Sequence, residues 1–186
     1  MPLNILFIRH GQTQGNLERR YIGSTDQPLC PEGREALAGR QLPPANQIYA
    51  SPLLRCRETA SLLFPSQPFE VVEDFRECDF GAFENHTYEE LKDDPAYQLW
   101  LDTAGEIPPP GGESKAAQKI RTLGAFHSVI SRHSAGTIAL VVHGGTIMAI
   151  LESLEPTHEF YRWQAENGCG WLCAWDGRSL TVISSY

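Results

Sequence analysis

The sequence predicts an α/β fold: a three-layer sandwich with a mostly parallel central sheet and helices on both faces. Three observations predict it. Leu3 to Ile8 is an apolar run broken only by Asn4, as expected of a strand buried on both faces. Thr137 to Val142 is a second run of this kind. Helical patterns of ten or more residues alternate with short strand-like runs along the chain, the pattern of parallel strands joined by covering helices.

Each element has its own signal. The first strand closes at Arg9-His10-Gly11, and a loop follows. From Pro31 to Leu42, a proline at the first helical position followed by Glu32, Ala36, Leu37 and Arg40 predicts a helix ended by Pro43-Pro44. Gln47 to Ala50 reads as a short strand. Ser51 and Pro52 read as the cap and first residue of a helix with Leu53, Leu54, Ala60 and Leu63 on its buried side, stopped by Pro65. Phe69 to Val72 is β-like. After Asp79-Phe80-Gly81, Thr87-x-x-Glu90 is a capping box that opens a short helix ending at Asp94-Pro95. Ile107-Pro-Pro-Pro-Gly-Gly112 is a turn or lid. Ala116, Ile120, Leu123, Phe126 and Ile130 step at three and four, which predicts an amphipathic helix from Ser114 to Arg132. The Thr137–Val142 strand runs into His143-Gly144-Gly145 and a helix from Thr146 to Leu154. Two strands, Gly170 to Trp175 and Leu180 to Ser184, close the fold through an Asp176-Gly177 turn.

Composition narrows the function classes. A chain of 186 residues buries about two thirds of its surface, enough for one sizeable core, and residues 1–186 read as a single domain. There are 15 basic and 23 acidic residues, a net charge of −8, and no basic run, so neither nucleic acid nor anionic lipid is an expected partner. The longest apolar stretch, Ile138 to Val142, is too short to cross a bilayer, and the Met-Pro-Leu-Asn opening has no basic region of a secretion signal. A cytoplasmic location is expected. The five cysteines form no C-x-x-C pair and read as reduced thiols; Cys169 and Cys173, four apart in a strand-like run, read as buried thiols rather than a metal pair.

In such sheets ligands sit beyond the carboxyl ends of the strands. Two strands here end in His-Gly, at His10-Gly11 and His143-Gly144, and if they are neighbours both imidazoles enter one crevice. A lone histidine after a strand is usually a structural hydrogen-bonding group. His10, however, is flanked by Arg9, Gly11, Gln12, Thr13 and Asn16, a set of donors and close-approach backbone suited to a phosphate or carboxylate. His143 precedes Gly144-Gly145 at a helix start, where N–H groups favour an anion. Arg55 lies in the first turn of its helix and can reach the same crevice; its bland reading is a surface salt bridge. Arg57 should be solvated. Glu77, in Phe75-Arg76-Glu77-Cys78-Asp79-Phe80-Gly81, either pairs with an arginine or holds a proton for a leaving oxygen. Glu73, Asp79 and Glu84 read as ordinary exposed acids.

At this point the residues resemble a known family. Arg9-His10-Gly11, Thr13-x-x-Asn16, Gly23-x-x-Asp26-x-Pro28-Leu29-x-x-x-Gly33, Ser51-x-Leu53-x-Arg55-x-x-x-Thr59-Ala60, Glu77-x-x-x-Gly81 and His143-Gly144-Gly145 look like the phosphoglycerate-mutase-like branch of the histidine phosphatase superfamily. The resemblance implies that fold. It also implies that His10 is the nucleophile that becomes phosphohistidine and that Glu77 is the proton donor. Arg9, Arg55 and His143 would clamp the phosphoryl oxygens with Asn16 and the Gly144 backbone, and Gln12 and Gly23 would touch substrate. No cofactor or metal is implied, since two guanidiniums and a second imidazole supply the charge. The net −8 does not oppose this, because acids beyond about 8 Å are largely screened.

Within the superfamily the chain is most similar to bacterial α-ribazole-5′-phosphate phosphatases, through its short length, Glu77-Cys-Asp-Phe-Gly81-x-Phe-Glu84, Thr87-Tyr88-x-x-Leu91 and Pro110-Gly-Gly-Glu-Ser114. This implies a small-molecule phosphomonoester as partner and leaves room for a homodimer. A broad-specificity phosphatase, a protein phosphatase, a phosphoglycerate mutase and a non-catalytic phosphoprotein-binding module are the alternatives. A mutase would need further basic residues between Cys78 and Val142, where Lys92, Lys115, Lys119, Arg121 and Arg132 are the only non-histidine ones. A substrate-specificity insertion at about 78–136 carries Phe83, Tyr88, Tyr97 and Trp100, which read as core or as a stacking surface for a heteroaromatic leaving group. Cys30, Cys56, Asn85 and Val142 depart from residues usual in the family, and the stretch from Glu155 to Glu166 looks compressed.

Overall fold

Strand β1 (Leu3–Arg9) sends Ile5 and Phe7 into one buried layer and Leu6 and Ile8 into another, which is why its sequence is apolar without alternation. The structure, a computed structural model, describes residues 3–186; Met1 and Pro2, the start of the stretch read for a targeting signal, lie outside the described residues. After β1 come α1 (Gln14–Leu17), α2 (Pro31–Leu37), β2 (Gln47–Ala50), α3 (Leu54–Leu63), β3 (Glu70–Val71), α4 (Tyr88–Leu91), α5 (Pro95–Asp102), α6 (Lys115–Ile130), β4 (Gly136–Val142), α7 (Gly144–Leu154), β5 (Gly170–Trp175) and β6 (Leu180–Ser185).

Among the described residues, six strands form one sheet in the order β3-β2-β4-β1-β5-β6. β1 to β4 run parallel, and β5 and β6 are antiparallel additions beside β1. On one face α6 and α7 pack Phe126, Val129, Ile147 and Ile150 against Phe7, Leu140 and Val142. On the other, α3 lays Cys56 and Ala60 on Leu6, Ile8, Ile48, Ala139 and Val141. The predicted sandwich is therefore present. No helix among the described residues is long and apolar enough to cross a membrane.

Several elements differ from expectation for identifiable reasons. The helix from Pro31 stops at Leu37, not Leu42, because Ala38 turns extended and Gly39 takes φ +73°. The Ser51-Pro52 pair does not start α3. That helix begins at Leu54, whose N–H donates to Asp26 Oδ1 at 2.6 Å, and the Ser51 hydroxyl is engaged elsewhere. β3 is shortened to two residues. The Thr87/Glu90 capping box forms as expected, yet α4 ends at Leu91, and Asp94-Pro95 opens a further helix, α5, with the Asp94 carboxylate accepting from Ala96 and Tyr97 N–H. The predicted stripe of α6 holds in its second half, where Phe126 and Ile130 are buried and Leu123 half-buried, and fails in the first: Ile120 is 75% exposed and Ala116 is exposed, and the inward face is completed by Gln118, Thr122, Ala125 and Val129.

Phe83 and Tyr97 are fully buried and pack with Leu91 in a third cluster, flanked by the half-buried Tyr21, Phe80 and Trp100. Their rings meet edge-on or stacked at 5.3 to 5.8 Å, so Phe83 and Tyr97 are core rather than a free stacking surface. Tyr88 is exposed.

Candidate active site

The parallel register delivers the site. Arg9 pairs with Val142 across β1 and β4, and the His10 N–H continues the ladder by donating to Val142 O at 2.9 Å. Ser51 N–H does the same from the end of β2, to Val141 O at 3.0 Å. Ser51, His143 and His10 therefore stand side by side at three adjacent carboxyl ends. The two imidazoles meet edge to face with centroids 5.2 Å apart, in the single crevice their sequence positions required.

His10 is buried, and its Nδ1 lies 2.7 Å from Gly11 O. A carbonyl only accepts, so Nδ1 carries the proton and the Nε2 lone pair is left unprotonated. Burial first, then the Arg55 and Arg9 charges, hold His10 well below its ordinary pKa, and the ring is neutral. Thr59 fixes the neighbouring backbone: its Oγ1 donates to Arg55 O and accepts from Gly11 N–H at 2.9 Å. Asn167, which no sequence motif singles out, donates to His10 O at 3.1 Å and to Asn16 Oδ1 at 3.2 Å. Asn16 Oδ1 also accepts from Thr13 N–H, leaving the Asn16 amide nitrogen as the donor directed elsewhere.

His143 is fully buried, with its Nε2 2.7 Å from Ser51 Oγ and 3.5 Å from Cys56 Sγ. Burial first, then Arg55, His10 and Arg9, push it well below its ordinary value. The Cys56 thiol is itself pushed up to about 12, chiefly by burial, and stays a thiol. Gly144 and Gly145 open α7, so their N–H groups point out of the helix end into the crevice.

Arg55 is no surface salt bridge. It is completely buried, donating to Gly23 O and Thr25 O at 2.8 Å each. Arg9 donates to Ala165 O and lies along the Gly144 backbone. The Nε atoms of Arg9 and Arg55 are buried and, among the described residues, lack a hydrogen-bond partner. A half-buried guanidinium at Arg9 and a fully buried one at Arg55, each with a spare Nε donor, stand beside two neutral imidazoles and make a cradle for an oxyanion. Arg57 is exposed, as expected.

Glu77, 9% exposed, makes no ion pair within 4 Å among the described residues, though its charge acts on the Arg9 guanidinium. Its Oε1 accepts from Cys78 N–H at 3.0 Å and Gln118 Nε2 at 2.7 Å, and its Oε2 from Gly145 N–H at 2.9 Å. Arg121, held by Glu113, donates to the carbonyls of Asp74, Arg76 and Glu77 and fixes that segment to α6. Glu84 is not the ordinary exposed acid expected. Its half-buried carboxylate accepts from the N–H groups of Gly23, Ser24, Thr25 and Phe80, shaping the loop that in turn holds Arg55.

The remaining candidates are placed less centrally. The backbone of Gly23 is occupied on both sides, by Glu84 and Arg55, and a Cβ there would overlap Cys78 O. Gln12 lines a cavity of about 340 Å³ with Arg9, Gly33, Glu166 and Asn167, a space that His10, Arg55, Glu77 and His143 do not line. Cys30 replaces the usual hydroxyl cap of α2 with a thiol that accepts from Gly33 N–H at 3.3 Å. Asn85 sits at φ +63°, a left-handed position that explains why glycine is usual there. Among the described residues, no group of three or more His, Cys, Asp or Glu side chains is arranged to hold a metal.

Comparison with known proteins gives the family and the fold. The family model for the histidine phosphatase superfamily (branch 1) matches residues 5–185. A 2,3-bisphosphoglycerate-dependent phosphoglycerate mutase of Gloeobacter violaceus is 34% identical over 166 residues, covering 81% of this chain and 75% of the relative. A phosphoserine phosphatase variant of Entamoeba histolytica, solved with phosphoserine, superposes with a TM-score of 0.81 at 27% identity, covering 98% of this chain and 96% of that one. An α-ribazole phosphatase of Shigella flexneri has the same fold, with a TM-score of 0.81 at 22% identity over 98% and 95% of the two chains. Some curated relatives are longer, and the chain spans about half of their length. On the match over residues 5–185, the chain belongs to the histidine phosphatase superfamily, branch 1.

Proposed function

We propose that the protein is a metal-independent phosphomonoesterase that works through a phosphohistidine on His10. The observation that carries the reading is the crevice itself: a neutral His10 with a free Nε2 lone pair, beside the half-buried Arg9 and fully buried Arg55, whose buried Nε donors have no partner among the described residues. His10 Nε2 attacks phosphorus and the ester P–O bond breaks, while Glu77 gives a proton to the departing oxygen. Water then attacks the phosphohistidine, Glu77 takes the water's proton, and the N–P bond breaks to release phosphate. Arg9, Arg55, His143, Asn16 and the Gly144 N–H hold the phosphoryl oxygens throughout, and in phosphoryl transfer such positioning and charge stabilisation do most of the work.

The substrate is a small-molecule phosphate. α-Ribazole 5′-phosphate is the first candidate, resting on the resemblance of the Glu77–Glu84 and Pro110–Ser114 stretches. Segment 78–136 follows directly on Glu77, and its Asp79–Ala82 stretch is bonded to the Pro-Gly loop through Ala82 N–H to Pro110 O and Glu113 N–H to Asp79 O; it is the part of the chain that would select the leaving group. The half-buried Phe80 and Trp100 remain as aromatic surface there, Phe83 and Tyr97 being core. A mutase is the second reading, favoured by the 34% identical relative.

Phosphate release from p-nitrophenyl phosphate, α-ribazole 5′-phosphate, 3-phosphoglycerate, phosphoserine and a phosphopeptide, with chelator present and His10→Ala alongside, tests the reading. Turnover in chelator that His10→Ala abolishes is expected. Activity that needs a metal, or survives His10→Ala, overturns it. Net transfer of phosphate between positions of 3-phosphoglycerate, without release, would establish the mutase instead.

A further inference from the structure

Gln118 is a polar residue on the inward face of α6, only 4% exposed, at a position where the neighbouring inward residues pack the core. A buried amide is costly unless its groups are bonded, and this one is aimed at Glu77: its Nε2 donates to Oε1 at 2.7 Å. Among the described residues Oε1 thereby receives two donors, Gln118 and Cys78 N–H, whereas Oε2 receives one, Gly145 N–H. The three groups are closely packed, since a Cβ on Gly145 would lie 2.4 Å from Glu77 Oε1 and 3.0 Å from Gln118 Nε2. One turn further along the same helix, Arg121 fixes the backbone of Glu77. α6 thus grips Glu77 at both its main chain and its carboxyl group.

From this geometry we infer that Gln118 is a positioning residue for proton transfer. By saturating Oε1 it leaves Oε2 as the oxygen that hands a proton to the leaving group and takes one back from water. The inference rests on the proposed phosphohistidine reaction and adds to it the residue and the atom that steer the proton. Gln118 itself touches no reacting atom.

The test compares wild type, His10→Ala, Gln118→Met and Gln118→Leu on phosphoserine and on p-nitrophenyl phosphate. An aryl leaving group departs without a proton, whereas an alkyl one needs it, so a proton-transfer role splits the two esters. Gln118→Met, which keeps the volume and removes the donor, should lower kcat/KM for phosphoserine about tenfold or more and leave that for p-nitrophenyl phosphate within about threefold. Because the second step needs Glu77 as base, the same variant should show a burst of p-nitrophenol of one equivalent per enzyme as phosphohistidine accumulates. Equal loss on both esters, or no loss on either with wild type active and His10→Ala dead, overturns the role of Gln118 alone. An inactive wild type or an active His10→Ala overturns the underlying reaction. Gln118→Leu carries the same expectations should the methionine variant fail to fold.

Discussion

The positions that matter most are those where one side chain serves two neighbours. Ser51 is the clearest: read in sequence as a helix cap, it instead holds His143 Nε2 at 2.7 Å while both are fully buried. An unsatisfied buried ring nitrogen costs about 1–3 kcal/mol, and a free ring loses its orientation toward the phosphoryl group. Ser51→Ala should therefore lower unfolding free energy by about that amount and kcat/KM for p-nitrophenyl phosphate by about tenfold, read by urea titration and initial rates. Unchanged values of both would show that the hydroxyl contributes nothing. Gly145 is a second such position, because its N–H binds Glu77 and its missing side chain gives Glu77 and Gln118 their space. Gly145→Ala should fold, since α7 accepts alanine readily, yet lose activity on alkyl esters more than on aryl ones. Preserved kcat/KM on phosphoserine would count against the close packing of these three groups.

At the scale of elements, α6 shows what pattern reading resolves and what it does not. Its extent was legible, since Ser114 caps it and the apolar spacing fits a helix, but the inward face of its first half was not. Ile120 tempted the three-four count, yet the packed face runs through Gln118, Thr122, Phe126 and Val129 because Gln118 and Arg121 must meet the Glu77 segment. Ile120→Lys should shift stability by no more than about 0.5 kcal/mol, whereas Phe126→Ala should cost about 3–5 kcal/mol, both measured by urea unfolding. A large loss at Ile120 would restore the face expected from sequence. The parallel strands and the two His-Gly ends were readable because a strand's apolar run and its following glycine are local signals. The long-range backbone contacts of Thr59, Asn167 and Glu84 are not, because they reach 48 to 157 positions away in sequence, which no local spacing encodes. α5 is ambiguous for a local reason: Asp94-Pro95 reads as a stop, yet aspartate before proline is equally a helix start.

Over the whole molecule, the same burial that readies the crevice for an anion makes folding sensitive to acid. His10 and His143 are held well below their ordinary values, by burial first and then by Arg55, with Arg9 adding to both. In the unfolded chain each binds a proton as pH falls through about 6.5, while in the folded protein neither does until far lower pH. Within that window the unfolded state binds up to two more protons. Unfolding free energy should therefore be flat above about pH 7.5 and fall as pH drops from about 7 to 5, with a slope approaching about 2.7 kcal/mol per pH unit for the pair. His133, lowered mainly by burial but partly exposed, acts in the same direction and more weakly. Carboxylates held low by their partners, such as Glu70 beside Arg132 and Asp176 in its turn, add their loss only below about pH 4.5, so the histidines can be read separately. Urea unfolding of wild type and His143→Gln at pH 5, 6, 7 and 8 checks this: removing one titrating ring should cut the slope by about half. A wild-type profile flat from pH 7 to 5, or a slope unaltered in His143→Gln, would mean that the imidazole charge is accommodated in the fold, and the neutral imidazoles on which the proposed phosphoryl transfer depends would have to be abandoned with it.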